Sequence, residues 1–387
     1  MPEAAFAIEG GWDDAVVLLA ANSWDDIKLA DRHMAERLAA HAPVLYVDRP
    51  MSHLTRFNKP SLGAALEGPR LRMVAPRIAR YTPVVAPKPQ HPLMVNVTSS
   101  LVRRQLRGAV RQLGARVRAV ISTWLFVDAY GACDEERRIY WWQDDPFGAA
   151  SLWGVEAKRL ARADERLARD SDLILTITEG AAERWRERGL AATHLPNGCD
   201  ADFFAGVDNV PPATDVDLPG PIAGFVGHLN SRTDLAMLEA VAESGTSLLL
   251  IGPKDSSFEP VRFDALTSRA NVAYVGSRPF EELCSYLRLV DVGLVPYADT
   301  EFNRWSFPLK TLEYLAAGRA VVATPLPAMK WLGTDLVTLA DTPAAFASAV
   351  SRCAAEQRGA EIVRRRRDFA NTHSWAERAR QLTQLLE

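Results

Sequence analysis

The stretch Phe302–Pro327, FNRWSFPLKTLEYLAAGRAVVATPLP, predicts a loop, a helix and a buried strand in direct succession. Ser306 is a candidate N-cap, Pro308 suits the first turn, and Gly318 predicts the end of the helix. The apolar run Ala320–Ala323 that follows is typical of a parallel strand covered on both faces. A helix that begins at the open edge of such a sheet presents backbone N–H groups and the positive end of its dipole. The stretch therefore predicts a site for an anion.

Two charged side chains on this predicted helix suggest which chemical groups the ligand contains. Lys310 lies near the amino end, and Glu313 lies one turn later on the same face. Together they are suited to hold a phosphate and a hydroxylated ring beside it. An ordinary amphipathic helix with a solvated lysine and a solvated glutamate has the same spacing, so spacing alone leaves both interpretations open.

A longer pattern, PLKTLEYLAAG at 308–318 with VVAT at 321–324, goes beyond spacing. It resembles the nucleotide-sugar motif of retaining glycosyltransferases of the GT-B fold. More narrowly, it resembles family four (group 1), which includes teichuronic-acid and other envelope-polysaccharide relatives. The resemblance implies that Glu313 binds the ribose of the donor and that the helix amino end faces the sugar and diphosphate. The first of the two glutamates in that motif falls on Trp305 here, and the chain resembles the members with a P-x-K-x-x-E-Y form.

Length and composition limit the class of protein. A chain of 387 residues is too long for one ordinary core and suits two, and 48% hydrophobic with 24% charged residues is globular composition. A net charge of −3 gives no global reason to expect a nucleic-acid partner. The amino terminus is too polar for a signal peptide, and no apolar run reaches the roughly 18 residues that span a bilayer. We therefore expect a cytoplasmic protein, and four isolated cysteines fit a reducing compartment and argue against a zinc site: Cys133, Cys199, Cys284 and Cys353.

The first part of the chain predicts a doubly wound sheet. Ala15–Ala20 and Pro43–Asp48 are apolar strand signals with a helical pattern between them. The loop after the first strand lacks G-x-G-x-x-G, which disfavours a dinucleotide site. Ligands of such sheets bind outside the carboxyl ends of strands, and the resemblance implies that this loop is on the acceptor side. A polar loop with an aspartate capping the next helix is the alternative for the candidate residues Ser23, Trp24, Asp25, Asp26 and Arg32.

A basic helix is predicted over residues 99–113, with Ser99 or Ser100 as its cap. Its polar side carries several arginines: Arg103, Arg104, Arg107 and Arg111. Such a helix is suited to contact anionic lipid at the inner face of a membrane, and a solvated face is the alternative. Before it, residues 50–93 give few signals, with strands predicted at Leu71–Ala75 and Val84–Ala86.

Two carboxylates follow the predicted strand Ile139–Trp142. Asp144 and Asp145 are suited to orient an acceptor hydroxyl or to face positive charge that develops on a sugar ring. The resemblance implies that this strand end lies close to the transferred sugar. The alternative is capping of a helix predicted over 149–168.

The second half begins after a polar, proline-rich linker at 205–219 and starts a new βαβ unit with the strand Ile222–Val226. Gly227 allows a close approach of backbone to a diphosphate. Many relatives place an arginine and a lysine in this loop, and those positions fall on His228 and Asp234. Arg232 is therefore our candidate for the missing positive charge.

Further donor contacts are implied by segments that resemble the family. Ser277 and Arg278 follow a strand at the point where relatives hold the nucleobase, and a simple turn is the alternative there. Asn303 lies in the loop before the motif and is predicted to reach the sugar. The complete predicted donor set is Gly227, His228, Arg232, Ser277, Arg278, Asn303, Ser306, Phe307, Leu309, Lys310 and Glu313.

These inferences predict an α/β chain of the GT-B class, with two Rossmann-like doubly wound domains that face each other across a cleft. We expect an acceptor-side domain at 1–205, a donor domain at 206–370, and a final helix in 371–387 that crosses back to the first. The predicted reaction moves a sugar from a nucleoside-diphosphate sugar to an acceptor hydroxyl with retention. It uses neither metal nor cofactor, and its catalytic candidates are Asp144, Asp145, Arg232 and Lys310. The acceptor is a glycan, a lipid-linked glycan or a natural product. A nucleotide-sugar epimerase of the same architecture and a non-catalytic binding protein remain as alternatives.

Overall fold

The computed structural model describes residues 11–26, 28–55, 65–143, 155–356 and 358–387. The chain divides into two compact units, Met1–Pro196 with Arg378–Glu387, and Asn197–Glu377. The division falls ahead of the predicted boundary at residue 205. Residues 197–205 join the second unit because aromatic packing holds them there: the ring of Phe203 stacks on that of Phe280 with centroids 4.5 Å apart.

The first unit is built on one sheet. Its strands within the described residues are β1 (Ala15–Leu19), β2 (Val44–Val47), β3 (Leu71–Ala75), β4 (Ile78–Tyr81), β5 (Val117–Ser122), β6 (Arg137–Trp142), β7 (Leu173–Thr176) and β8 (Ala192–His194). Their order is β3-β4-β2-β1-β5-β6-β7-β8, and all neighbours are parallel except β3 and β4. The strand order reverses between β1 and β5, and ligands of doubly wound sheets bind at such a reversal.

Within the described residues before position 197, the helices are α1 (Ala30–Leu38), α2 (Val95–Leu113), α3 (Ala157–Arg169) and α4 (Glu179–Glu187). The predicted basic helix begins earlier than residue 99, because Ser99 does not cap it; its hydroxyl instead accepts the N–H of Asp128 at 3.1 Å. The strand predicted at Val84–Ala86 is wrong, since Val84 forms only an isolated bridge there. Proline at position 83 cannot donate to a ladder, and the paired strand lies before it, as β4.

The second unit carries a six-stranded parallel sheet. Its strands are β9 (Ile222–Val226), β10 (Ser247–Ile251), β11 (Val272–Tyr274), β12 (Val292–Val295), β13 (Ala320–Ala323) and β14 (Val337–Leu339). The order β11-β10-β9-β12-β13-β14 is the 3-2-1-4-5-6 order of a Rossmann sheet. The predicted doubly wound fold is therefore confirmed for this unit, and its strand order reverses between β9 and β12.

The described helices that follow residue 196 lie in the second unit, apart from the final one, most of which belongs to the first. They are α5 (Ala201–Ala205), α6 (Leu235–Glu243), α7 (Pro260–Thr267), α8 (Leu283–Leu287), α9 (Glu301–Arg304), α10 (Leu309–Ala316), α11 (Pro327–Leu332), α12 (Pro343–Ala355), α13 (Ala360–Thr372) and α14 (Trp375–Leu386), with 3₁₀ turns at Gly206–Asn209 and Phe280–Glu282. Trp375, at the start of α14, is buried, with only 2% of it exposed.

A close contact between an aromatic ring and a glycine helps to fix helix α10 on the sheet. The ring of Tyr314 lies against β12 so closely that a Cβ on Gly293 would be 2.2 Å from it. The Tyr314 hydroxyl accepts the N–H of Val226, at the end of β9, at 2.8 Å. The helix of the opening motif is thereby fixed to both strands that flank the reversal.

Candidate functional site

The candidate site of the second unit lies where its strand order reverses. The loop after β9 holds residues 227–234, and the segment after β12 runs through α9 into α10. Both start at carboxyl ends of neighbouring parallel strands, so they meet at one edge of the sheet. A hydrogen bond between backbone groups of the two segments, from Ala298 N–H to the Arg232 carbonyl at 2.9 Å, joins them directly.

Arg232 is the cation that the loop after β9 brings to this edge. Its Nε donates to Asn303 Oδ1 at 2.9 Å, and its Nη2 donates to Ser306 Oγ at 3.3 Å. The guanidinium also lies over two rings, 4.6 Å from the centroid of Phe302 and 5.5 Å from that of Tyr297. These contacts hold a permanent positive charge against the segment that precedes α10.

Asn303 is fully buried and does not present its amide to a ligand. Its Nδ2 donates to the carbonyls of Arg232 and Ala298, at 2.9 and 2.8 Å, while its Oδ1 accepts from the Arg232 side chain. The structure gives Asn303 a positioning role in place of the sugar contact predicted from the sequence. The reason is local: a single amide can satisfy both loops only from the interior between them.

The amino end of α10 departs from the predicted cap. The N-cap position is Pro308, and no side chain of the described residues caps the helix. The Ser306 hydroxyl donates instead to the Asn303 carbonyl at 3.0 Å and accepts from Arg232. Since proline has no N–H and no side-chain donor or acceptor, this end of the helix is left to other partners.

Lys310 and Glu313 meet on the exposed side of α10. Lys310 Nζ lies 2.5 Å from Glu313 Oε2, and the two side chains are 24% and 12% exposed. The pair is thus half-sheltered at the end of the helix, where a cation and a hydrogen-bonding carboxylate are both within reach of a ligand. Of the other predicted residues here, Leu309 is half-buried and Phe307 is buried against Trp331, with ring centroids 6.2 Å apart.

The glycine of the first loop packs against a second glycine. Gly252 has φ of +135°, and a Cβ on it would lie 1.9 Å from the Gly227 carbonyl oxygen. Gly227 N–H donates to the Ile251 carbonyl at 2.9 Å, and Gly252 N–H donates to the Gly276 carbonyl at 2.8 Å. Only glycine fits at position 252, and it lets the loops after β9, β10 and β11 lie against one another.

The remaining predicted donor residues have protein partners. His228 is exposed, with Nε2 2.6 Å from Asp255 Oδ1. Arg278 donates to Asp215 Oδ2 at 2.7 Å and to the hydroxyl of Tyr286, and these bonds raise the pKa of Arg278. The carbonyl of Ser277 accepts from Arg278 at 3.3 Å. The contact of Arg278 with a nucleobase stays a prediction, and it requires sharing or breaking the Asp215 pair.

In the first unit, a fully buried arginine organises the loop after β1. Arg80, at 0% exposure, donates from Nε to Asp48 Oδ2 at 2.7 Å and from Nη2 to Ser23 Oγ at 3.1 Å. Its Nη1 lies 2.7 Å from Asp25 Oδ2. Thr82 Oγ1 adds a 2.6 Å hydrogen bond to Asp48. Nothing in the sequence marks Arg80 and Asp48 as partners, because they belong to different strands and only the strand order brings them together.

This network changes the interpretation of the predicted acceptor-side residues. Ser23 and Trp24 are buried, at 2% and 8% exposure, and the Trp24 N–H donates to Asp48 Oδ1 at 2.9 Å. They build the loop and do not line an open surface. Asp25 and Arg32 keep 30% and 31% of their side chains exposed, and Arg32 lies over the Trp24 ring at 4.6 Å. Asp26 is exposed as well, so of the five candidates Asp25, Asp26 and Arg32 are the ones that a ligand can reach.

Asp31 is a further residue of this unit that the sequence did not single out. It lies fully buried in α1, where its Oδ2 accepts the Ala21 N–H at 2.9 Å and its Oδ1 accepts from Gln143 Nε2 at 2.6 Å. Burial raises the pKa of Asp31 to about 6, although these hydrogen bonds oppose the shift. The carboxyl joins the loop after β1 to the residue that follows β6. The sequence does not indicate this role, because a polar residue in an amphipathic helix is usually on its exposed face.

Because the pKa of Asp31 is raised, we expect the free energy of unfolding to depend on pH, and Asp31→Asn should remove that dependence. The native state binds the proton more tightly than the unfolded chain, whose pKa is near 3.8, so stability falls as pH rises from about 4 to about 6. The cost reaches at most about 3 kcal/mol above that range. We expect urea unfolding to show Asp31→Asn gaining stability relative to the wild type between pH 4 and pH 8. If the two proteins differ in free energy of unfolding by the same amount at pH 4 and at pH 8, the raised pKa of Asp31 is contradicted.

Two predicted catalytic residues, Asp144 and Asp145, lie outside the described residues. Within the described part of the chain, no group of three or more histidine, cysteine, aspartate or glutamate side chains is arranged to hold a metal ion. None of the helices in that part is both long and apolar enough to cross a bilayer.

Part of the second unit is similar to a known protein family. Residues 220–356 match the family described as glycosyl transferases group 1. The likeness to that family begins at β9 and ends after α12. It therefore includes both loops of the reversal, Arg232 and the Lys310–Glu313 pair.

A curated relative extends the likeness over more of the chain. The putative teichuronic acid biosynthesis glycosyltransferase TuaH of Bacillus subtilis (strain 168) is 25% identical over 259 residues, covering 61% of this chain and 65% of TuaH. The match therefore spans slightly less than two thirds of the length of that relative. It agrees with the resemblance found in the motif at 308–324.

Solved glycosyltransferase structures share the fold over almost the whole chain. Sucrose-phosphate synthase from Thermosynechococcus elongatus superposes with a TM-score of 0.69 at 16% identity, covering 96% of this chain and 98% of its own. An E. coli trehalose-6-phosphate protein bound with UDP-2-fluoro glucose gives 0.68 at 12%, covering 96% and 98%. Anabaena HepE in complex with UDP and glucose gives 0.65 at 13%, covering 96% and 99%. The predicted GT-B fold is confirmed.

Proposed function

We propose that this protein transfers a sugar from a nucleoside-diphosphate sugar to an acceptor hydroxyl. The observation that carries the proposal is the contact of Arg232 with the segment that leads into the helix of Lys310 and Glu313, where the sheet of the second unit reverses. Such a reversal is where doubly wound sheets bind nucleotides. Two cations and an uncapped helix end are suited to a diphosphate, and the neighbouring carboxylate is suited to a ribose or sugar hydroxyl.

In the proposed reaction, the protein mainly stabilises the charge of the leaving diphosphate and forms no covalent bond to the sugar. As the bond from the sugar to the diphosphate breaks, negative charge grows on the leaving phosphate oxygens. Arg232, Lys310 and the amino end of α10 face that charge and are fixed before the reaction by the contacts of Asn303, Ser306 and Tyr314. We propose that binding aligns the acceptor hydroxyl with the sugar, and that Asp144 or Asp145 contributes to this alignment.

The finer parts of the proposal rest on the family resemblance. We propose that the reaction retains the anomeric configuration and needs no metal ion. In this proposal Arg232, Lys310 and the amino end of α10 neutralise the charge of the diphosphate. A cytoplasmic location is proposed as well, because four reduced and widely spaced cysteines suit a reducing compartment. Peripheral contact with the inner face of a membrane through the 99–113 helix belongs to the same proposal, because that helix carries arginines and no acidic side chain.

One assay separates the proposed function from its alternatives. The purified protein is incubated with UDP-, GDP-, ADP-, CDP- and dTDP-sugars, with and without glycan or lipid-linked glycan acceptors, and free nucleoside diphosphate is measured. Release that depends on the acceptor supports transfer, and the anomeric configuration of the product by NMR tests retention. Inversion of the donor sugar without an acceptor indicates an epimerase, while nucleotide binding without any turnover indicates a non-catalytic protein.

Glu313→Gln tests the proposed ribose contact. We expect the donor dissociation constant to rise about 10- to 100-fold, because a hydrogen bond to a charged acceptor contributes about 1.5 to 3 kcal/mol. The rate at saturating donor should change little, since this contact is made equally in the ground state and the transition state. Titration calorimetry with the donor measures the effect. Glu301→Gln, an exposed carboxylate in the same segment, is the matched control, and an unchanged affinity in Glu313→Gln removes the ribose role.

A further inference from the structure

The exposed face of α2 combines apolar and basic side chains in a way that its sequence alone did not show. Leu93, in the turn two residues before the helix, and Val97 and Leu101 within it are 83%, 49% and 36% exposed. The eight exposed large apolar side chains of the described residues include these three, and the others do not share one helix with them. Val97 and Leu101 are four residues apart and lie in one row along the helix, which Leu93 precedes.

The same row continues into arginines. Arg104, Arg107 and Arg111 are exposed and follow Leu101 at helical spacing, so that the first half of the face is apolar and the second half is basic. Helix α2 contains no aspartate or glutamate, and none of these three arginines forms an ion pair with any described residue. Arg103 is different, because it pairs with Asp128 at 3.3 Å on the side of the helix.

The chemistry of this face fits a lipid bilayer with anionic headgroups. A helix that lies in the interface buries aliphatic side chains at the boundary of the acyl chains and places arginines among the phosphates. A soluble polyanion has no use for the exposed aliphatic row, and a net chain charge of −3 gives no global attraction to one. Exposed leucine and valine in a row cost solubility unless something covers them.

We propose that the face formed by Leu93, Val97, Leu101, Arg104, Arg107 and Arg111 docks this protein on an anionic membrane. The two halves of the face set the orientation: the amino end of α2 lies deeper, and the carboxyl end lies at headgroup level. Helix α2 leads from β4 to the parallel strand β5, so it begins near the carboxyl edge of the sheet. That edge also carries the loop of Asp25, so docking brings the candidate acceptor loop toward the membrane.

The purpose of this docking rests on the proposed function, since it would present a membrane-bound acceptor to the enzyme. The docking itself is measured without turnover, so either proposal can fail alone. Full-length protein is sedimented with phosphatidylcholine vesicles, with and without phosphatidylglycerol, at low and high salt. We expect binding only with phosphatidylglycerol and a loss of most of it at high salt, because exposed charges are screened.

Two variants and two matched controls identify the face. Arg104→Gln/Arg107→Gln/Arg111→Gln should lower partitioning about 100-fold, since each arginine contributes about fivefold near an anionic surface. Lys158→Gln/Arg162→Gln/Arg166→Gln makes the same change in charge on α3 and should stay within about threefold of the wild type. Val97→Ser/Leu101→Ser should lower binding at both salt concentrations, while Val261→Ser, 82% exposed in the second unit, should not.

Three outcomes overturn the proposal. The first is a wild-type protein that does not sediment with phosphatidylglycerol vesicles at low salt. The second is an equal loss in the α2 and α3 charge variants, which would show a diffuse effect of net charge. The third is binding to soluble polyphosphate as strong as binding to vesicles, with no effect of Val97→Ser/Leu101→Ser, which would assign the face to a free polyanion.

Discussion

Replacement of Lys310 by methionine is expected to lower the rate of sugar transfer about 100- to 1,000-fold. Loss of one fixed donor to a developing anion costs about 2.7 to 4 kcal/mol of transition-state stabilisation. Lys310 has that position because α10 is fixed on the sheet by the Tyr314 contact with β9 and β12. Steady-state kinetics at saturating donor, with free nucleoside diphosphate as the readout, measure the effect.

Arg232→Gln should produce a loss of the same order, with a further cost from its neighbours. The guanidinium joins Asn303 and Ser306, so its removal also loosens the segment before α10. Arg232→Lys separates the two contributions, because it keeps the charge and loses the planar pair of donors. Arg269→Gln, which removes an arginine 41% exposed and paired with Glu243 in the same unit, is the matched control. Wild-type rates in both Lys310→Met and Arg232→Gln, in folded protein, would rule out the assignment to the diphosphate.

Arg80→Met is expected to destabilise the first unit by about 3 to 5 kcal/mol, the typical cost of breaking a buried ion pair by removing one partner. Arg80 is fully buried with Asp48, and without it that carboxylate has lost its counter-charge inside the sheet. Unfolding in urea, followed by tryptophan fluorescence, measures the change.

The control is an arginine of the same unit with an exposed partner. Arg116 pairs with Asp14 at 3.0 Å, and the two side chains are 64% and 49% exposed. Arg116→Met should therefore cost about 0 to 1 kcal/mol. Equal costs for the two substitutions would mean that the Arg80 network does not hold the loop after β1.

The sequence predicted the parts of the fold that depend on periodicity and on local turn chemistry. The apolar run at 320–323 is β13, because a strand buried on both faces has a continuous apolar sequence. The pattern at 309–316 is α10, because a helix with one buried face has apolar residues at helical spacing. The cap was wrong, since Ser306 has a tertiary partner in Arg232 that outweighs the local preference for capping.

The residues that were missed or misassigned depend on the order of strands. Arg80 and Asp48 sit on β4 and just after β2, and nothing in either segment says that these strands pair. Asn303 was predicted to touch the sugar, but whether its amide faces outward or inward is decided by the loop after β9, which comes about 70 residues earlier in the chain. In the same way, the exposure of Val97 and Leu101 depends on which side of α2 is packed against the rest of the unit.

The central claim is that a nucleoside diphosphate binds at Lys310 and Arg232 in the second unit. Thermal unfolding with UDP, GDP, ADP, CDP and dTDP at matched concentration tests it directly, with the wild type and Lys310→Met side by side. A ligand that binds only the folded state raises the midpoint, and at a concentration of 100 times its dissociation constant it adds about 2.7 kcal/mol. We predict that one of the five raises the midpoint of the wild type clearly and that of Lys310→Met much less. No shift with any of them, or the same shift in both proteins, would contradict the claim.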